Sequence, residues 1–252
     1  MCGYLRLGIG EGGREGFKVR TGDYLIAVDI GTTSTKALLY RVGGAIENYE
    51  SRSYPTYYSQ PGFVEQDPDE ILSAVIQVIS SLVEKTEVQP QSISAITFGG
   101  VWQSMLAVDS HGHALSRAMI WSDTRSLQQN KRLQAELAVE EVRERTGCTL
   151  HPMYFLSRLM WFQEEVPEIF GQSHKFISIK EYILYHLFGQ FVVDRSIASG
   201  TGIWRMSTMD WDEELLEKVG VGSEKFSSVL EPTTILTGLK PAVASQDRKS
   251  VV

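Results

Sequence analysis

Residues 24–40 read YLIAVDIGTTSTKALLY, and no other stretch constrains the fold as tightly. The apolar run YLIAVDI is interrupted only by Asp29 and is bounded by Gly31, the pattern of a strand covered on both faces. TKALLYRV follows almost at once, and AIENYESRSY comes after Gly43–Gly44. Three strands with such short connections are expected to form an antiparallel meander. The first turn then spends Thr32, Thr33, Ser34 and Thr35 in succession. An aspartate at the end of a buried strand is costly unless a cation or hydrogen-bond donors meet it. Gly31 permits a tight turn, the N–H groups around Thr32 and Thr33 can converge on an anion, and the hydroxyls add donors. Asp29 repels a bare phosphate but can meet Mg²⁺ carried by one, and Lys36 adds positive charge. This is a Mg-phosphate cradle on a β-hairpin, since the G-x-x-x-x-G-K-[ST] loop is absent. A plain turn rich in β-branched residues, capped by Asp29, is the alternative.

Beyond the meander, Asp67 reads as a helix N-cap, Pro68 as the first helical position and Glu70 as the partner in a capping box. Ile71, Leu72, Val75, Ile76, Ile79, Leu82 and Val83 recur at helical spacing, so this helix packs on the sheet. ISAITFGG (93–100) is a second buried strand. MLAVDSHGHAL reads as a strand entering a turn, and AMIWSDTRS as a strand ending in polar residues. One charged helix is expected from about Ser126 to a C-terminal cap at Gly147. Later come a helix broken by Pro167, the strand KFISI, the helix KEYILYHLFG closed by Gly189, and FVVDRSIASGTGIWRM as loop and strand. A last helix in DWDEELLEKVG is capped by Asp210 or Asp212. Strands alternating with helices give an α/β fold, with no linker dividing residues 23–244.

Residues 1–22 are glycine-rich and aperiodic, and are expected to be a flexible extension. Their G-x-G-x-x-G at Gly8, Gly10 and Gly13 lacks the preceding strand and following helix that a dinucleotide site needs. The net charge of −7 argues against nucleic acid or an anionic membrane as partner. Two cysteines without CxxC, and five histidines forming no HxxxH pair beside a carboxylate, suggest a reducing compartment and no structural metal. With no apolar run long enough to span a bilayer, a cytoplasmic location is the expectation.

DIGTTSTKA resembles the first phosphate motif of the actin/hexokinase/Hsp70 ATPases. The ordered stretches QPGFVEQDPDEI, AVDSHGHALSRAMIWSDTRS, TGCTLHPMYFLSRLMWF, SIKEYILYHLFG, VVDRSIASGTGIW and LTGLKP narrow the likeness to the FGGY carbohydrate kinases, and within them to those acting on gluconate. The resemblance covers nearly all of residues 24–241. It implies a ribonuclease-H-like α/β domain whose mixed sheet is flanked by helices. It also implies transfer of the γ-phosphoryl group of MgATP to a sugar hydroxyl, converting gluconate to 6-phosphogluconate. Carried over, Asp29 faces Mg²⁺ through water, and Gly31, Thr32, Thr33 and Lys36 lie at the phosphates of ATP.

Trp102 and Gln103 stand where sugar kinases of this family carry a substrate-binding Met-His pair, a departure that leaves xylulose and glycerol open as acceptors. Asp123 and Arg125 are candidates for a sugar acid's carboxylate, which an arginine fork can pair bidentately. An exposed loop salt bridge is the rival reading for them. His151 and Tyr154 fall in a stretch that lines the sugar pocket in relatives, a structural histidine being the alternative, and the resemblance implies that Asp194 and Ser199 brace that wall without touching the sugar. Members of the family run to about twice this length, and their proton-accepting aspartate belongs to a Gly- and Asp-bearing strand past LTGLKP. Residues 245–252 are expected to be a divergent tail, with Asp247 no substitute for that base. The chain alone is then expected to be a very poor kinase, since a general base contributes about 10²–10⁴-fold. A non-catalytic module binding sugar acid or phosphate, a homodimer, and one half awaiting a complementing C-terminal domain all remain open.

Overall fold

The computed structural model describes residues 3–5 and 24–240. Gly8, Gly10, Gly13 and the tail with Asp247 lie outside them. Within the expected extension, Gly3–Leu5 (β1) forms a strand, which the sequence reading did not anticipate. Three further strands, β2 (Tyr24–Ile30), β3 (Ser34–Arg41) and β4 (Ala45–Ser53), make the predicted meander. After the two-residue β5 (Glu65–Gln66), helix α1 (Pro68–Thr86) leads to β6 (Ile93–Gly100). The five-stranded sheet has the order β1-β6-β2-β3-β4 and is mixed. β6 runs parallel to β2, and the other pairs are antiparallel.

Helix α1 starts where the sequence places it. The Asp67 side chain accepts the N–H groups of Asp69 and Glu70, and Pro68 occupies the first turn. Glu70 is diverted from the expected capping box because its carboxylate accepts the Tyr57 hydroxyl at 2.8 Å. The helix buries Ile71, Ala74, Val75, Val78 and Leu82 against Ile26, Val28, Ile30, Ala37 and Leu39 of the sheet. Strand β2 is therefore sealed on one face. Its other face, carrying Leu25, Ala27 and Asp29, has no buried residue, which corrects the expectation of a doubly covered strand.

The remainder runs β7 (Leu106–Val108), β8 (Ala118–Met119), α2 (Leu127–Glu136), α3 (Val139–Thr146), α4 (Phe155–Glu165), α5 (Pro167–Gln172), β9 (Lys175–Ile177), α6 (Ile179–Phe188) and β10 (Val192–Asp194). It closes with α7 (Arg195–Ser199), β11 (Trp204–Arg205), β12 (Asp210–Trp211), α8 (Glu213–Lys218) and β13 (Ser228–Leu230). The single helix expected over 126–147 is broken at Leu137–Ala138, where the backbone is extended. Leu133 and Val142, nine residues apart, would face opposite ways on one helix at 3.6 residues per turn. The break turns both into the same core.

Two hydrophobic clusters result, one under the sheet and one among α2–α5, α7 and α8. The short strands join them. Leu106 and Val108 of β7 enter the first cluster while Ala107 and neighbouring Met105 enter the second. Ile177 and Phe176 divide likewise, as do Val192 and Val193. Among the described residues no helix is long and apolar enough to cross a membrane.

Candidate functional site

The carboxyl ends of the parallel strands β2 and β6 lie side by side, with Asp29 opposite Gly99 and Ile30 opposite Gly100. Both candidate segments leave from this edge, and the Val101 N–H bonds the Ile30 carbonyl at 2.9 Å. In open α/β sheets ligands collect in the crevice outside such strand ends, which makes this edge the place to look.

In the turn, Gly31 N–H closes on Ser34 O at 3.0 Å. Its carbonyls are all held from the protein side. The Tyr54 hydroxyl donates to Gly31 O at 2.5 Å, Gln66 Nε2 to Thr32 O at 2.6 Å, and Tyr54 N–H to Thr33 O at 3.3 Å. Among the described residues the N–H groups of Thr32 and Thr33 meet no backbone or side-chain acceptor. With the carbonyls fixed, the donors are left for something else. Asp29 and Lys36 are direct cross-strand neighbours on the open face, and both are exposed. Asp29 therefore carries no burial cost, which corrects the starting premise of the sequence argument but leaves its carboxylate accessible. Burial, reinforced by the charge of Asp29, pushes the Tyr54 phenol well above its ordinary value, so it stays a neutral donor.

The sugar-side candidates converge on the turn 199–202. Gln103 Nε2 donates to Gly200 O at 3.3 Å, and a Cβ on Gly200 would touch both Gln103 and the Trp102 ring at 3.5 Å. Trp102 is 50% exposed, enough to offer an indole face to solvent. Tyr154 packs over Gly202, where φ is +76° and an added Cβ would come within 2.9 Å of the Tyr154 Cβ, so no other residue fits there without strain. His151 meets Tyr154 edge-on with ring centroids 6.4 Å apart. The Met153 N–H donates to His151 Nδ1, so the neutral ring carries its proton on Nε2. Burial and the neighbouring Cys148 push the Tyr154 phenol up to about 12. Asp194 caps α7 through Ser196 and Ile197 and pairs with Lys180 at 2.6 Å, while the Ser199 carbonyl accepts the Cys148 thiol.

Asp123 and Arg125 are placed differently from expectation. Both are almost fully buried, with Arg125 Nη2 at 2.7 Å from Asp123 and also from Glu65, and Nε at 3.0 Å from each Asp123 oxygen. The guanidinium also lies 3.7 Å over the Phe63 ring. Neither the rival exposed bridge nor an open fork for a ligand carboxylate survives, because Asp123 and Glu65 already occupy it. Buried ion pairs of this kind fix geometry more than they add stability.

The sequence reading missed Tyr54, Gln66 and Arg158. Gln66 directly precedes the helix cap, and Arg158 interrupts the apolar face of α4, a signal that was available. Arg158 is fully buried and donates to the carbonyls of Gln103, Ile120, Met119 and Pro152. It holds Gln103 at φ 55°, a left-handed conformation uncommon outside glycine.

Residues 24–248 match the N-terminal domain of the FGGY family of carbohydrate kinases. A gluconokinase of Bacillus subtilis (strain 168) is 38% identical over 224 residues, 88% of this chain and 43% of that protein. A glycerol kinase of Thermococcus onnurineus (strain NA1) is 28% identical over 216 residues, 84% of this chain and 44% of that protein. The crystal structure of gluconate kinase from Lactobacillus acidophilus superposes with a TM-score of 0.85 at 30% identity, covering 90% of this chain and 46% of that one. The chain thus spans less than half the length of these relatives. The expected α/β architecture, a ribonuclease-H-like mixed sheet flanked by helices, is the one they share. By the match over residues 24–248, the chain belongs to the FGGY family of carbohydrate kinases.

Proposed function

We propose that this chain is the acceptor-binding domain of a kinase that moves the γ-phosphoryl group of MgATP to the terminal hydroxyl of gluconate, giving 6-phosphogluconate. The observation that carries the reading is the shared strand edge, where a turn with free N–H groups and a wall of aromatic and amide side chains lie next to each other. The turn fits a Mg-phosphate tail, because Thr32, Thr33 and Lys36 offer donors and positive charge while Asp29 offers an accessible carboxylate to the metal, directly or through water. Mg²⁺ neutralises phosphate charge when it arrives with ATP. Trp102 stacks on the carbon chain of the polyol, Gln103 bonds its hydroxyls, and His151 and Tyr154 complete the wall. Asp123 and Arg125, locked to each other and to Glu65, are left without a direct part in acceptor binding.

Alignment of hydroxyl and phosphoryl group is the contribution of these residues, worth several kcal/mol where the geometry is held. None of them is assigned to take the hydroxyl proton, so the polypeptide by itself is expected to turn over very slowly or not at all. Calorimetric titration with gluconate, xylulose and glycerol, beside a coupled assay of ADP release, tests both parts. Gluconate should bind more tightly than the other two, with ADP release at background. Binding of xylulose without gluconate would remove the substrate assignment, and kinase-like turnover would remove the expectation of inactivity.

A further inference from the structure

Asp109, His111 and His113 stand on the turn after β7, and neither the cradle nor the sugar wall uses them. One donor atom from each, a carboxylate oxygen and two imidazole nitrogens, lies within 4.8 Å of the other two. We propose that this turn is a surface site for a divalent transition-metal ion, with Zn²⁺ the physiological candidate. No two histidines of the chain stand in an HxxxH pair. DSHGH places its donors on alternate residues instead, and a tight turn folds them back onto one another.

The turn is built before any ion arrives. Asp109 N–H bonds His113 O at 3.0 Å, and Gly112 N–H bonds Asp109 O at 3.1 Å. Asp109 Oδ1 accepts the N–H groups of His111 at 2.8 Å and His113 at 2.9 Å, leaving Oδ2 at 3.0 Å from His113 Nδ1. Gly112, at φ +80°, lies against the Tyr185 ring so closely that a Cβ would come within 1.9 Å of it. The Gly112 carbonyl also stands 3.2 Å from His186 Nε2, so helix α6 anchors the turn from below. The two imidazoles are exposed and stacked, with centroids 6.0 Å and planes 24° apart. Among the described residues, the other side-chain hydrogen-bond partner of His111 is the Ser110 hydroxyl at 3.4 Å.

Two imidazoles and one carboxylate favour Zn²⁺, Ni²⁺, Co²⁺ or Cu²⁺ over Mg²⁺ or Ca²⁺, which prefer all-oxygen shells. Bonds of about 2.0–2.2 Å bring donors to roughly 3–3.5 Å from one another. Rotation of exposed rings supplies that closure without unpacking anything, and three protein donors leave a place for water.

The test is calorimetric titration of the intact chain with ZnCl₂ and with NiCl₂, repeated on Asp109→Asn, His111→Gln, His113→Gln and the double His variant. Asp109→Asn keeps an oxygen for the two backbone N–H groups, so the turn survives while the charged ligand is lost. One ion per chain is expected, undisplaced by excess Mg²⁺. Each single change should weaken binding about tenfold or more, and the double change should abolish it. Absence of binding in the wild type, or undiminished binding in the double variant, overturns the proposal.

Discussion

Among the described residues no carboxylate pairs directly with Arg158; backbone carbonyls from three segments of chain hold it, with the charge of Asp123 close enough to act on it. Burial pushes its guanidinium down to about 9, so it remains charged at neutral pH. Its planar fork suits several diverging acceptors, which a lysine ammonium on a flexible stem does not. Arg158→Lys should therefore release the Gln103 carbonyl, relax its left-handed backbone and weaken gluconate binding by roughly tenfold, about 1.4 kcal/mol. Affinity for the nucleotide's phosphates should hold, since Arg158 makes no contact with the turn at Thr32. Equal losses for both ligands, measured by calorimetry on a variant of native circular dichroism, would reduce Arg158 to general scaffolding. The same scale shows what a sequence hides. Asp29, Thr32, Thr33 and Lys36 could be singled out as candidates because a glycine and a run of hydroxyls concentrate one kind of chemistry in a few adjacent positions. The role of Arg125 was not, because its second partner, Glu65, is sixty residues away and only folding brings it within 2.7 Å.

Element α6 illustrates how a cap can carry a titration. Ser178 Oγ accepts the Glu181 N–H at 3.3 Å, and Glu181 Oε2 accepts the Ser178 N–H at 2.7 Å, a reciprocal capping box. Glu181 is buried, and burial, seconded by the charge of Asp194, pushes its carboxyl up to about 7 from an ordinary 4.5. Because the folded-state value lies above the unfolded one, the native chain holds an extra proton between about pH 4.5 and 7. That contribution to stability is complete below about 4.5 and lost as pH rises through 7, on the order of 3 kcal/mol in all. Glu181→Gln keeps an acceptor for Ser178 and removes the ionisation. It should be more stable than the parent at pH 8 and nearly equal to it at pH 5, by urea unfolding. Parallel pH profiles for the two proteins would show that Glu181 ionises freely in the native state. Capped helices such as α1, α6 and α8 announced themselves through Asp67, Gly189 and Asp212. The break between α2 and α3 did not, because it answers to a core that the local pattern does not contain.

At the scale of the whole molecule, the two hydrophobic clusters are separate sets of side chains fed by the same strands. Strands of three residues carry too few positions for any periodicity, which is why this sharing could not be read from the sequence. Its energetic consequence is coupling. β7, β9 and β10 each bury one face in either cluster, so melting the first cluster strips the second of a wall. All five tryptophans lie outside the first cluster: Trp161, Trp204 and Trp211 are buried in the second, and Trp102 and Trp121 are exposed. Tryptophan emission therefore reports on the second cluster, whereas far-ultraviolet circular dichroism reports on the backbone of both. Leu82→Ala, deep in the first cluster at the far end of α1, should cost about 2–5 kcal/mol. If the clusters are one cooperative unit, the variant's urea midpoint falls equally by fluorescence and by dichroism, although no tryptophan packs beside the altered residue. A fluorescence midpoint that stays put while dichroism is lost earlier would mean that the sheet layer and the helical layer unfold independently. The part of the proposed acceptor wall that stands on the helical layer, His151 and Tyr154, would then not depend on the sheet edge that carries the turn at Thr32. The proposed alignment of acceptor and nucleotide requires that dependence, since Gln103 and the turn at Thr32 hold their relative positions only as long as both cores stay folded together.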